Sequence, residues 1–390
     1  MFRRLVSPII LVSLVVGSTF ALVAGPAAAR GGRGFYAVPD PLPTAAPGTI
    51  IRSESIPAPA GAKAWRVLYH SETVAGRDIA VSGVIVAPTG TAPKGGRPVV
   101  TWAHGTTGLA DTCAPSKIKG FASKLPYVAD MVDAGYVVAA TDYEGLGTPG
   151  LHPYLVGESE GRGVLDAARA ARALDQTGAG KDVLVFGHSQ GGHAALFAGE
   201  LAAQYAPEQR LLGVAAAAPA ADLDVILPAA GAIPQAGGFV VMGAKGFQAA
   251  YPEADPADVL TPDAAAKASI VEQQCGGAVV KAFAGTSATA VIARNPLEVA
   301  PWRELIHASS AGNRAAGAPV LVVQGEADRL VLRPLSDAWV KKACAAGDVI
   351  EYRTYPGADH SGVISAARTD VLGWLAARVK GDAATNGCSA

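Results

Sequence analysis

Residues 181–203, KDVLVFGHSQGGHAALFAGELAA, limit what this chain can fold into more than any other stretch. Val183-Leu184-Val185-Phe186 is a short apolar run of the kind that forms a strand buried on both faces. Gly187-His188-Ser189-Gln190-Gly191 then satisfies G-x-S-x-G, Gly192 adds a further small residue, and Ala194, Ala195, Phe197, Ala198 and Leu201 follow in helix-forming company. Strand, tight glycine turn and helix are the setting in which this pattern carries chemistry. The glycines let neighbouring backbone approach closely and leave the Ser189 hydroxyl projecting. Unpaired N–H groups and the dipole at the start of the helix favour negative charge beside it. Ser189 therefore reads as a nucleophile. In a chain with 46 glycines the bare pattern can arise by chance; the strand before it and the helix behind it give it weight.

The whole chain frames that reading. Its 390 residues suffice for one large domain or two ordinary ones. Half of them are apolar and 17% charged, which excludes a disordered chain. A net charge of −1 with no basic run after the N-terminus gives no footing for nucleic acid. Arg3 and Arg4, the apolar residues 5–23 and Gly25-Pro26-Ala27-Ala28-Ala29 have the form of a signal peptide over residues 1–29, with cleavage expected before Arg30 and the product secreted. The four cysteines, Cys113, Cys275, Cys344 and Cys388, include no C-x-x-C pair, which argues against zinc or a redox site. Export places them where disulfides persist, so two bridges are expected, with three pairings open. Neither a metal cluster nor a phosphate loop is visible, so no metal and no cofactor is expected.

In order, residues 30–62 are rich in Gly, Pro and Ala and read as an extended N-terminal arm. Strands are expected at 65–71, 79–86, 98–102, 136–141, 183–186, 212–218, 319–323 and 349–355. Helices are expected at 121–134, 160–175, after Ser189, at 335–345 and, closing the chain, at 363–379. This alternation predicts an α/β fold with a mostly parallel central sheet and helices on both faces. Its core would comprise residues 63–220 and 314–390. Residues 221–313 break the rhythm with short, Ala/Pro/Gly-rich helical pieces, and read as a mainly helical insertion forming a lid over the serine.

Serine is a poor nucleophile without a base, and the base needs an acid to orient it. Loops at the carboxyl ends of parallel strands converge on one crevice, so the partners belong just after strands. Gln324-Gly325-Glu326-Ala327-Asp328 places Asp328 there, and Pro356-Gly357-Ala358-Asp359-His360 places His360 after the next strand. The order Ser, acid, His is that of the nucleophile-elbow architecture. Glu326, Asp359, Asp222 and Asp224 compete for the acid's role. His70, His104, His152, His193 and His307 lack a comparable setting for the base, and His188 is expected to face away from the serine or to line the pocket wall. The alkoxide formed on attack needs donors. One is the N–H of Gln190, and the other is expected in the glycine loop, from Gly105 or Thr106.

Trp102-Ala103-His104-Gly105-Thr106-Thr107-Gly108, Cys113-Ala114-Pro115-Ser116, Asp142-Tyr143-Glu144-Gly145-Leu146-Gly147, the Ser189 elbow and Gly325-Glu326-Ala327-Asp328 resemble the secretory lipase family of the α/β-hydrolase superfamily. CAPS and DYEGLG are the more family-specific of these motifs, and the likeness extends over nearly the whole mature chain. It implies an α/β-hydrolase fold and an exported serine carboxylester hydrolase, a lipase or esterase acting on acylglycerols or other acyl esters through an acyl-enzyme. Its partner would be a small-molecule or lipid ester, with lipid-interface contact through the lid. The resemblance further implies Ser189, Asp328 and His360 as a triad, and bridges joining Cys113 to Cys275 and Cys344 to Cys388. Yeast members often carry an acidic residue in the loop around Gly105; here none occurs before Asp111, which leaves the second donor between Gly105 and Thr106. Two other activities fit the same residues. An acyltransferase would pass the acyl group to an alcohol, and an exopeptidase would need carboxylates such as Asp222, Asp224 or Glu253 to hold an amine. A binding module on a retired hydrolase scaffold would be expected to have lost a triad member, and all three are present.

Overall fold

A computed structural model describes residues 34–388. The expected signal peptide and the cleavage point before Arg30 lie outside the described residues. The apolar runs form one nine-stranded sheet in the order β1-β2-β3-β5-β4-β6-β7-β8-β9. These strands are Ile50–Ile56, Ala62–Glu72, Asp78–Pro88, Arg97–Ala103, Val137–Thr141, Ala179–His188, Arg210–Ala217, Val320–Gly325 and Ile350–Tyr355 (β1 to β9). The pairs from β5 across to β9 are parallel, and β1, β2 and β3 extend the sheet antiparallel at one edge.

Strand period accounts for the two faces. Val183 and Val185 of β6 pack under helices α2 (Gly157–Ala173) and α3 (Gln190–Tyr205). Leu184 and Phe186, between and after them, join Met131, Val363 and Trp374 on the opposite face. There the helices are α1 (Val128–Asp133), α11 (Gly362–Ala366) and α12 (Arg368–Lys380). Strands buried on both sides must be apolar at every position, which is why they were readable as continuous runs.

Three elements differ from the sequence expectation. Part of the N-terminal arm is built into the sheet: Ile50–Ile56 forms the edge strand and pairs with β2, Ile56 opposite Ala64. Its serines and its Glu54 gave it no strand pattern of its own; its backbone pairs because it lies along β2's otherwise open edge. Before it, the Arg52 guanidinium donates to the carbonyls of Phe35 and Ala37, and the Tyr36 hydroxyl meets Ser116 Oγ at 2.8 Å. The helix expected at 121–134 is a 3₁₀ turn, Phe121–Lys124, followed by α1. Pro126 forces Leu125 into extended backbone and breaks the path between them. The closing helix is two helices, α11 and α12, parted at Ala367.

Between β7 and β8 the chain runs through Leu223–Ala229, Ala236–Ala250, Pro262–Lys267, Gly276–Ala282, Ala288–Val291 and Trp302–Ala308 (α4 to α9). This segment carries its own apolar cluster, including Val241, Met242, Phe247, Val279 and Trp302, against Leu109 and Tyr154 of the core. Cys113 is bridged to Cys275, with Cα atoms 5.4 Å apart, so the start of α7 is tied to the loop after β4. Gly276 N–H also donates to Thr107 O at 2.8 Å there. Cys344, at the end of α10 (Arg333–Ala345), is bridged to Cys388. No helix among the described residues is long and apolar enough to cross a membrane.

The second bridge closes a loop across a sequence separation of 44 and pins a Gly/Ala/Asn tail that would otherwise fray. Cys388→Ser should therefore destabilise the protein by up to about 4 kcal/mol, the chain-entropy value for such a loop. Urea unfolding of the variant against the parent measures it.

Candidate active site

The site begins with a strained residue. Ser189 stands between β6 and α3 at φ 59°, ψ −119°, a backbone conformation that costs a non-glycine residue about 1–3 kcal/mol. Hydrogen bonds hold it there: Ser189 N–H donates to Ala217 O at 2.9 Å, and Ser189 O accepts from His193 N at 3.1 Å and Ala220 N at 3.2 Å. The flanking glycines answer to close packing. A Cβ on Gly187 would fall 1.9 Å from Gly191 O, and one on Gly191 would fall 1.9 Å from Ala103 O. Only a glycine at each of those positions lets strand, turn and helix close this tightly.

Loops after β8 and β9 bring two side chains to the serine. His360 Nε2 lies 2.9 Å from Ser189 Oγ, and His360 Nδ1 lies 2.7 Å from Asp328 Oδ2. A carboxylate only accepts, so the imidazole proton sits on Nδ1 and Nε2 presents its lone pair to the hydroxyl. Asp328 is fixed in turn: its Oδ1 accepts from Leu330 N at 2.8 Å and Val331 N at 2.9 Å, and its Oδ2 from Gln324 Nε2 at 3.2 Å. Burial would raise its pKa, but the bond to His360, the imidazolium charge and the two N–H donors outweigh burial and hold the carboxyl below its ordinary value. The competing carboxylates are occupied elsewhere. Glu326 accepts from Thr354 Oγ1 at 2.8 Å, Asp359 from Gly362 N at 2.7 Å, Asp222 pairs with Lys342 at 3.0 Å and Asp224 with His307 at 2.8 Å.

On the other side of Ser189 runs the glycine loop. An added Cβ on Gly105 would lie 3.6 Å from Ser189 Cβ, so this backbone passes directly beside the elbow. Thr106 Oγ1 is engaged with the Tyr154 hydroxyl at 2.9 Å. Gln190 opens α3, and its N–H has no acceptor inside the helix. Its side chain is turned into a buried network, donating to Glu160 Oε1 at 2.8 Å and to His152 Nε2 at 2.7 Å. Burial pushes His152 down to about 4, so it is neutral; its Nδ1–H donates to Glu144 O at 2.9 Å and its Nε2 accepts. Glu160 Oε2 meets His193 Nδ1 at 2.7 Å, and His193 Nε2 donates to Ser309 O at 2.8 Å. Glu160 carries no sequence signal of this role, because one carboxylate near a helix start looks no different from a solvated one, and His152 has no sequence setting that marks it.

His188 is not among the residues lining the pocket; its Nε2 lies 2.7 Å from the backbone carbonyl of His360.

Ser189 opens on a pocket of about 1020 Å³, counting the solvent at its mouth. Its walls come from the core and from the helical segment, among them Leu223, Phe239, Phe247, Trp302, Ile306 and Val331. Among the described residues, no charged side chain lines it.

Residues 115–387 match the secretory lipase family. The chain belongs to that family. Over 234 residues it is 29% identical to a secreted triacylglycerol lipase of Malassezia globosa, across 56% of this chain; the chain spans about half (50%) of that relative. Lipase A of Moesziomyces aphidis is 23% identical over 89% of this chain and 82% of its own. In fold, the chain is similar to Candida antarctica lipase A, with a TM-score of 0.73 at 21% identity, covering 88% of this chain and 85% of that one. The rice cell wall degrading esterase LipA of Xanthomonas oryzae gives a TM-score of 0.71 at 20% identity, over 87% of this chain and 100% of that one. The fold is thus that of the α/β-hydrolases.

The geometry separates two carboxylates that sequence spacing does not. If Asp328 orients the imidazole, Asp328→Asn should slow phosphonate labelling of Ser189 by on the order of 10⁴-fold. Glu326→Gln should leave the labelling rate nearly unchanged. Stopped labelling time courses followed by intact mass measure both.

Proposed function

We propose that this secretory lipase family member is a secreted serine carboxylester hydrolase that cleaves acylglycerols or other acyl esters through an acyl-enzyme. The observation that carries the reading is the line from Asp328 through His360 to Ser189, at 2.7 and 2.9 Å, ending in an uncharged apolar pocket.

On this reading His360 takes the Ser189 proton as Oγ attacks the ester carbonyl. Asp328 stabilises the imidazolium so formed. The tetrahedral oxyanion is met by the N–H of Gln190 and by that of Gly105 or Thr106, at the positive end of α3. His360 then passes its proton to the departing alcohol, leaving the acyl group on Ser189 Oγ. Water enters, gives a proton to His360, attacks the acyl carbonyl, and the acid leaves as Oγ recovers its proton.

The pocket supports an acyl chain as the group held beside the serine. Each buried methylene contributes about 0.8 kcal/mol, and no charged side chain among the described residues lines the wall to oppose it. The same absence of a carboxylate disfavours an exopeptidase, as do the ion pairs that occupy Asp222 and Asp224. Residues 221–313 act as the lid, placing the pocket's outer wall where a lipid surface would meet it. The leader at 1–29, removed before Arg30, delivers the chain outside the cell. An acyltransferase would use the same steps with an alcohol in place of water.

Ser189→Ala should abolish hydrolysis of nitrophenyl esters while the melting temperature stays nearly constant. In the parent enzyme kcat/KM should climb from acetate to octanoate, by up to about fourfold per methylene while the chain stays in the pocket. Substantial turnover by the alanine variant would overturn the assignment. A product mixture dominated by transfer to added alcohol would favour the acyltransferase.

A further inference from the structure

We infer that His188, the residue preceding the nucleophile, is a positioning residue that holds His360 over Ser189 by donating a hydrogen bond to the His360 backbone carbonyl. The inference rests on the reading of Ser189 and His360 as nucleophile and base.

His188 Nε2 and the His360 carbonyl oxygen are 2.7 Å apart, across a sequence separation of 172. A carbonyl only accepts, so the His188 proton sits on Nε2 and Nδ1 is bare. Its bare Nδ1 lies on the side of the oxyanion loop, 3.5 Å from where a Gly105 Cβ would stand. The two imidazoles are tilted against each other, with centroids 4.7 Å apart and planes at 43°. His188 is joined by a peptide bond to Ser189, and the bond it makes ends on the residue whose Nε2 must reach Ser189 Oγ. One side chain therefore sets the separation of the two reacting groups directly, without passing through the sheet.

The rest of the His360 loop shows why such a tie matters. Ala358 O accepts from Ala327 N at 3.0 Å, and Asp359 anchors the far side through Gly362 N and, by its carbonyl, Val363 N at 3.1 Å. These bonds secure the residues on either side of His360. The carbonyl of His360 itself is met by His188. Gly357, at φ 74°, leaves the loop a turn that the hydrogen bonds must restrain.

Charge is consistent with this role. Burial first, and the neighbouring His360 second, push His188 down to about 4, while Asp328 pulls the other way. His188 therefore stays neutral while His360 takes and returns its proton. A second cation 4.7 Å from the imidazolium would oppose the first step.

The test compares a side chain without a donor with one that restores it. Gln can bring an N–H to the place of the imidazole Nε2; Leu cannot. His188→Leu should lower kcat by about 10- to 100-fold, the scale for a misplacement near 1 Å, with KM changed less than about twofold. His188→Gln should recover most of kcat. Unfolding temperatures of both should match each other, which a purely structural role would not produce together with a split in kcat. In the parent protein, ¹⁵N spectra of the histidine rings should show His188 as the Nε2–H form; this readout stands even if the leucine variant fails to fold. Wild-type kcat in His188→Leu, equal losses in Leu and Gln, or the Nδ1–H form would each overturn the inference. His360→Ala serves as the reference: full activity there would overturn the base assignment instead, so the two failures are distinguishable.

Discussion

The structure depends on one close approach, where the end of β6, the elbow and the start of α3 meet the end of β4. Gly191 lies against Ala103 O, and Gly187 against Gly191 O, with no room for a methyl group at either glycine. This contact sets Ser189 in its strained conformation, and the parallel sheet sustains the strain through Ser189 N–H on Ala217 O. Loosen it, and the hydroxyl, the Gln190 N–H and the glycine loop lose their common orientation. The apolar packing on both sheet faces supplies the free energy that makes such a turn tolerable.

Behind the elbow the chain buries ionisable groups, which is costly unless every member has a partner. Here each partner also belongs to a different part of the site. Glu160 binds Leu155 N and the Gln190 side chain, and through His193 it reaches Ser309, where the helical segment returns to the core. His152 joins the same set from the loop after β5. Loop, α3 and helical segment are therefore fixed by one polar cluster in which each carboxylate oxygen of Glu160 and each amide hydrogen of Gln190 is used. Removing one member would leave others buried without partners.

The pocket is built between two kinds of structure. The sheet end provides Ser189, and the α4 to α9 segment provides most of the apolar wall. The bridge from Cys113 to Cys275 and the Gly276 N–H to Thr107 O contact moor that segment beside the glycine loop. Its own apolar cluster keeps it folded around the mooring. The wall can thus be apolar because other contacts, outside the pocket, hold the segment in place.

The sequence by itself determined the features that rest on residue type in one short stretch. Strands buried on both faces must be apolar throughout, so 183–186 and 319–323 were legible as core strands. The elbow was legible because only glycine fits on either side of Ser189, and His360 because it follows a strand in the order such a sheet uses. What tertiary structure decided were matters of distance between remote stretches. Glu326, Asp328 and Asp359 are alike in sequence, yet only Asp328 stands 2.7 Å from the imidazole; the turn after β8 directs it inward and leaves Glu326 to Thr354. β1 is invisible in the sequence because its pairing comes from β2's open edge and not from its own residues, and no continuous helix spans 121–134 because Pro126 breaks it. Glu160 and His152 carried no local mark, and His188, although inside the elbow motif, gave no sign of its partner. A buried polar side chain is defined by the partner that satisfies it, and those partners lie between 5 and 172 residues away along the chain.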